Sequence, residues 1–320
     1  MRIHILALNG VFDTGLAAVL DAFGTANALA EMTGISSLRF RMKVVGLHKS
    51  ITTAHGLSMP VIAAVRAQTP DVVVMPAILY MKQEPLLRAL AGSEVRAAGA
   101  VLRKWSARGA LTATACIGTF VLAEAALLDG EDATTTWWLA PLFRQRYPRV
   151  RLDESRIIVQ SNAVVTAGAA LSHLDLALAL IRRASPELAN LTARYLVVDA
   201  RTSQSIYSIP DHLAKADPLI EQFERWARGR MAEGFSLDEA AKALATSKRT
   251  LARRMQSTLG KSPLAFFQDL RIERAVHLLR TGHASVDQIA AEVGYTEGVT
   301  LRALLRQKLG RGVREIRRRL

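Results

Sequence analysis

Between Ser236 and Leu320 the chain spells the same helical device twice, and that doubling constrains everything before it. Phe235-Ser236-Leu237-Asp238-Glu239 reads as a capping box, in which Ser236 accepts from a first-turn N–H and Glu239 reaches back to the cap N–H. The helix it opens carries Ala240, Ala241 and Leu244 inward and breaks near Ala245-Thr246. A second helix then starts with Ser247 as its N-cap. Its Leu251, Met255 and Leu259 recur every fourth residue and share one buried stripe, while Arg249, Thr250, Arg253, Gln256 and Ser257 lie opposite. A helix that enters a DNA major groove needs this division, because guanidinium groups reach phosphates or guanine O6/N7 and short polar groups sit closer to the bases. The same pattern also describes a merely solvated basic face, and the repeat decides between them.

Lys261-Ser262-Pro263 opens a long helix through Phe266, Leu270, Ile272, Ala275, Leu278 and Leu279, stopped at Gly282. Ser285-Val286-Asp287-Gln288 is a second capping box, Ile289, Ala290 and Val293 form a short apolar face, and Gly294-Tyr295 makes the turn. A further helix is expected from about Thr296, with Leu301, Leu304, Leu305 and Leu309 inside and Val299, Thr300, Ala303, Arg306 and Gln307 outside. The units recur about fifty residues apart, near what one linking helix needs to seat both roughly 34 Å apart, one turn of DNA.

The stretch resembles the AraC/XylS-type DNA-binding domain. The matching residues are Ser247 to Arg254, Gly260-Lys261-Ser262-Pro263, Leu270-Arg271-Ile272 with Ala275 and Leu278-Leu279, and Ile289-Ala290 with Val293-Gly294-Tyr295. Leu301 stands where the family has an aromatic, and Gly312-Val313 and Ile316 replace its closing Ser-Pro and aromatic. These changes keep most core positions apolar, so the fold is expected to hold. The resemblance implies double-stranded DNA as partner, with Ser247, Lys248, Arg249, Thr250, Arg253, Arg254, Gln256, Thr296, Thr300, Arg302 and Arg306 as contact candidates.

At 320 residues the chain has room for two domains, and 50% apolar residues suffice for real cores. No run approaches eighteen uninterrupted apolar residues and the start has no signal-peptide layout, so a cytoplasmic protein without a membrane partner is expected. The single cysteine excludes an intrachain disulfide and argues against a thiolate metal cage; no cofactor or metal is expected. Of the net charge of +14, the residues from Ala216 onward carry +8, as 20 Lys and Arg against 12 Asp and Glu. The tail Arg314, Arg317, Arg318 and Arg319 reads equally as a phosphate-tracking patch or a solvated end.

The front reads as alternating strands and helices. Arg2 to Leu8 is a strand, and after the turn at Asn9-Gly10 a helix holds Leu16, Val19, Leu20 and Phe23. Further strands are expected at Phe40 to Val45, Asp71 to Pro76, Leu111 to Cys116, Arg156 to Gln160 and Ala163 to Thr166, with helices from Gly118 to Leu128 and from about Ser172 to Arg183. This order predicts an α/β fold, a doubly wound, mostly parallel, flavodoxin-like sheet, followed by an all-α domain with two helix-turn-helix units. The divisions are 1–195 for a ligand-sensing and dimerisation domain, 196–215 for a linker that includes the polar run Asp199 to Pro210, and 216–320 for the helical domain.

A doubly wound sheet puts its pocket at the carboxyl ends of the strands. Cys116 stands there, between Ala115 and Ile117-Gly118, as at a strand-to-helix elbow that lifts a side chain above the sheet; a helix N-terminus favours the thiolate. Asp71 to Ala77, Ala115 to Gly130, Ala133 to Trp137 and Thr166 to Gly168 through Asp175 to Leu178 resemble the PfpI-like branch of the class I glutamine amidotransferase-like fold. Joined to the AraC-type tail, the whole is similar to the GlxA-type transcriptional regulators. In hydrolytic members of the branch a histidine precedes the tryptophan that is Trp137 here, but this chain has Thr136. Where hydratase members carry an acid in the first loop it has Gly15, with Asp13 close by. The resemblance therefore implies a pocket without catalysis, lined by Gly10, Cys116, Ile117, Trp137 and His173. Cys116 reads as a ligand-sensing floor residue or a small buried hydrophobe, with a nucleophile as the rival; Trp137 and Trp138 read as an effector cage or as core, and Asp175 as a pocket residue or a helix-dipole partner. A homodimer responding to a small-molecule effector is expected, with RNA polymerase as a further partner if it activates.

Overall fold

A computed structural model describes every residue except 200, 202 and 318–320. Arg318 and Arg319 of the tail patch, and Ala200 and Thr202 of the linker, lie outside the described residues. The chain divides into two compact units: a front unit of Met1–Phe143 with Tyr147–Gln204, and a back unit of Arg144–Arg146 with the chain from Ser205 onward.

In the front unit seven strands form one sheet in the order Ile158–Ser161, Val164–Ala167, Leu111–Ala115, Val72–Met75, Arg2–Leu6, Arg41–Gly46, Ile62–Ala63. All pair in parallel except the first two, which form an antiparallel edge hairpin. Side chains alternate across the pleat, so Val72 and Val74 join one core while Val73 and Met75 join the other. On the first face they meet Val19 and Phe23 of the helix Asp13–Thr33 and Leu176 and Leu180 of Ser172–Ala184. On the second they meet Leu86, Leu102 and Phe120. Burial on both faces is why the central strands are continuously apolar.

The expected strands and first-loop turn are present, with ends shifted by a residue or two. The elements not expected from sequence include the short strands Ser50–Thr52, Ser58–Pro60, Ile62–Ala63, Asp132–Ala133 and Arg151–Leu152 and the helices Gln83–Leu90, Ser93–Ser106, Ala140–Arg146 and Pro186–Tyr195. The helix expected to run to Leu128 stops at Glu124, because Ala126 takes a left-handed backbone (φ 55°) and turns the chain. Residues 201, 203 and 204 of the expected linker are bound to the front unit, as detailed below.

The back unit is helical. Lys248–Leu259 buries Leu251, Met255 and Leu259, and Gly298–Leu309 buries Leu301 and Leu305, as the four-residue spacing requires. The second of these starts at Gly298 rather than Thr296, which lies in the exposed turn before it. The Asp287 carboxylate accepts from the Gly298 N–H at 3.0 Å and supplies the cap that Glu297 does not. The box at Ser285 and Gln288 is complete. At Ser236 only half forms: the hydroxyl accepts from Glu239 N at 3.3 Å, but the Glu239 carboxylate is turned to Arg230 at 3.0 Å. Leu301 and Ile316, which replace family aromatics, are both buried.

Candidate nucleic-acid interface and strand-end site

On Lys248–Leu259, the first candidate recognition helix (Gly298–Leu309 being the second), the basic face is present, but its side chains are not equally available. Arg254 donates to Asp217 from Nε at 2.8 Å and pairs through a terminal nitrogen at 2.6 Å, so it braces the domain. Lys248 pairs with Asp238 at 2.8 Å. The Ser247 hydroxyl accepts from Thr250 N at 3.0 Å and bonds the Thr250 hydroxyl at 2.8 Å, which spends both groups on the cap. Arg249, Arg253 and Gln256 are exposed, and no such partner holds their side chains among the described residues. On the second helix Thr300, Arg302 and Arg306 are exposed in the same way, beside Val299, an apolar side chain 65% exposed.

Behind this surface lies a residue that sequence reading passed over. Arg271 on the long helix Pro263–Thr281 is buried, donates from Nε and a terminal nitrogen to the Met231 carbonyl at 3.0 and 2.6 Å, and sits over Phe267 (4.6 Å) and Tyr295 (5.1 Å). The i, i+4, i+8 spacing of Phe267, Arg271 and Ala275 places it on the apolar stripe, and that was the available signal. Asp269 on the same helix accepts from Lys261 at 2.9 Å and from Lys308, tying the second recognition helix to the linking helix.

In the front unit Cys116 adopts φ 56°, the strained backbone of an elbow, and its N–H donates to Ala167 O at 2.9 Å. Gly118 is obligatory, since a Cβ there would overlap the Thr114 hydroxyl and come within 2.8 Å of Met75 O. The sulfur is buried, and burial pushes the thiol up to about 12 against weaker pulls from the Ile117 N–H and the Thr136 hydroxyl. Ordinary thiol alkylation is therefore expected to be slow. Iodoacetamide labelling of Cys116, followed by mass spectrometry, is expected to be at least ~100-fold slower than that of a free cysteine at pH 8.5, and to rise with pH without levelling near 9.

His173 stands between two loops of the front unit. It is fully buried; Nε2 accepts from Ala77 N at 3.1 Å and Nδ1 donates to Ala170 O at 2.5 Å, so the neutral ring staples two loops together. Burial lowers it to about 4. The ring also explains Gly15: a Cβ there would lie 2.8 Å from it, so the position of the hydratase acid has no room for a side chain. Asp13 is bound to His55 at 2.8 Å; burial pushes its carboxyl up, but hydrogen bonds from Thr53 and His55 outweigh this and hold it below its ordinary range. Ile117 belongs to the core, and Asp175 is buried against Arg201. Trp137 and Trp138 meet edge to face at 5.7 Å, both half-buried, and Trp138 packs on the core. Gly10 takes φ 74°; its N–H donates to Thr52 O at 2.8 Å and its carbonyl accepts from Leu79 N at 2.9 Å. Cys116 and the Thr134–Thr136 turn thus come together, while Gly10 and His173 belong to the packing of neighbouring loops.

A strand-end elbow in a doubly wound unit, followed by paired helix-turn-helix units, defines a regulator-like class with a DJ-1-type front. Residues 1–183 match the model of the DJ-1/PfpI family, and residues 240–319 match that of a helix-turn-helix domain. The chain belongs to the DJ-1/PfpI family and carries an AraC-type DNA-binding domain, the arrangement of a GlxA-like transcription regulator. It is 28% identical over 225 residues to the HTH-type transcriptional regulator ArgR of Pseudomonas aeruginosa, an alignment covering 69% of this chain and 68% of that one. With GbdR of the same species it shares 27% over 198 residues, 61% of this chain and 54% of that protein, and with GlxA of Rhizobium meliloti 26% over 226 residues, 64% of each. The front fold is similar to a ThiJ/PfpI family protein from Pseudomonas syringae (TM-score 0.52, 19% identity, 76% of this chain and 90% of that one) and to Drosophila melanogaster DJ-1beta (0.50, 18%, 62% and 98%). No helix among the described residues is long and apolar enough to cross a membrane.

Proposed function

We propose that the chain regulates transcription as a homodimer. A small metabolite binds the front unit at the strand ends near Cys116 and shifts the placement of the paired DNA-binding domains on spaced half-sites, with activation through RNA polymerase as the favoured direction. The observation that carries the reading is the first recognition helix, whose Arg249, Arg253 and Gln256 are exposed and uncommitted on a packed scaffold. The enzymatic alternative is disfavoured by the raised thiol, by Thr136 where hydrolytic relatives have a base, and by a His173 whose two nitrogens are committed to the main chain. The test is a footprint on DNA upstream of the chain's own gene, with and without candidate metabolites. Arg253→Ala is expected to weaken the footprinted site by about 1–3 kcal/mol through a bidentate base contact. Gel-shift titration decides it, because an equal loss on scrambled duplex would make Arg253 a phosphate contact instead.

A further inference from the structure

The last residues of the front unit are keyed into the turn that touches Cys116. Gln204 is 1% exposed, and its Nε2 donates to Thr135 O at 2.9 Å and to the Thr134 hydroxyl and Arg156 O at 3.3 Å each. Its backbone N–H donates to Ser155 O at 2.8 Å, the Ser203 hydroxyl donates to the same oxygen at 2.9 Å, and Ser203 bridges Arg156 as a one-residue antiparallel strand. Arg201 pairs with Asp175 and donates to Leu171 O at 3.2 Å. A Cβ on Gly168 would fall 2.6–2.8 Å from the Gln204 carboxamide, so this slot exists only because residue 168 has no side chain.

The other side of the turn faces the elbow. The Thr135 hydroxyl donates to Cys116 O at 2.8 Å, and the Thr136 hydroxyl is among the groups acting on the thiol. All three threonines are fully buried, and among the described residues the Gln204 Oε1 has no hydrogen-bond partner. Buried polar groups left unpaired cost stability, so the junction is poised for a second arrangement.

We propose that the Thr134–Thr136 turn is the coupling element of the protein and Gln204 its latch. This rests on the reading that a ligand enters beside Cys116. A group placed there displaces Thr135 and Thr136, the segment loses its grip on the Gln204 carboxamide, and Arg201, Ser203 and Gln204 leave the front unit. The four-residue length of chain so released adds up to ~14 Å of reach to the tether that leads into the back unit at Ser205. The state of the elbow is thereby converted into the freedom with which the DNA-binding domain is held. Because coupling is reciprocal, freeing the latch must also loosen the elbow.

The test reads both directions on the full-length protein and needs no effector. Gln204→Met keeps the size of the side chain and removes its amide; it is expected to speed iodoacetamide labelling of Cys116 about tenfold. Thr135→Val cuts the hydroxyl bond to Cys116 O, and carboxamidomethylation of Cys116 itself adds bulk at the elbow as the thiolate displaces iodide. Each is expected to raise hydrogen exchange at the Gln204 amide about tenfold. If exchange at Gln204 stays within twofold of the parent in both modified proteins, the latch is wrong, even where Gln204→Met does not fold. A labelling rate within twofold in folded Gln204→Met overturns it as well. Promoter preference of the unmodified protein is scored separately: its absence sinks the regulator reading while leaving these two responses intact.

Discussion

Gly294→Ala is expected to destabilise the back unit by about 2–4 kcal/mol and to abolish promoter binding. Gly294 holds φ 81° at the turn between the second capped helix and the second recognition helix. An alanine in that left-handed conformation costs about 1 kcal/mol by itself. The larger part is steric. The new Cβ would overlap both the Met231 carbonyl and the Arg271 guanidinium, the two partners of the buried hydrogen bonds that support the turn. Since Arg271 has little exposed surface, its displacement strips a cation of its acceptor without giving it water, which adds roughly 1–3 kcal/mol. Calorimetry is expected to show the transition of the back unit lowered by more than ~10 °C, and hydrogen exchange to locate the loss in Pro263–Thr281 with the front sheet unchanged. A front sheet destabilised to the same degree would contradict this account.

Acidification should remove stability from the front unit through His173. Its ring is neutral and fully buried in the fold, with a folded value near 4 against 6.5 for the exposed side chain. Between those two values the unfolded chain binds a proton that the folded chain does not, so stability falls as the pH drops from about 6.5 to 4 and is flat above. A separation of this size corresponds to about 3 kcal/mol. Urea titrations of the parent and of His173→Gln across pH 4–7 are expected to show a steeper slope in the parent than in the variant, which is weaker at pH 7 and keeps only the smaller dependence left by His4, a second histidine that burial lowers. Equal slopes in both proteins would mean that the staple between Ala77 and Ala170 is not the group that titrates.

How much of this was legible in order of residues follows from the range of each force. Caps, turns and stripes are local: Ser247, Ser285, Gly260 and the fourfold spacing of Leu251, Met255 and Leu259 act within one or two turns of helix, and they stand where expected. The buried strands were readable because burial on both faces leaves runs such as Val72–Met75 without polar interruption. The amphipathic helices at 83–90 and 93–106 went unassigned although their spacing was legible, with Val95, Ala98, Leu102 and Trp105 recurring every three or four residues on one buried stripe. The two-residue edge strand at 62–63 carries no periodicity at all.

Side-chain destinations were the part no linear reading supplied. The composition of the first recognition helix and the Cys116 elbow were plain from residue types at fixed spacing. That Arg254 pairs with Asp217, that His173 closes the space at Gly15, and that Arg271 finds its acceptor in the Met231 carbonyl were decided only when distant segments met. Gln204 makes the point most sharply: in sequence it is one more polar residue of a linker, but its carboxamide bonds to residues seventy positions away. Periodicity and capping are encoded in neighbours along the chain, whereas the pairing of a buried polar group depends on which acceptors the packed fold leaves within about 3 Å of it.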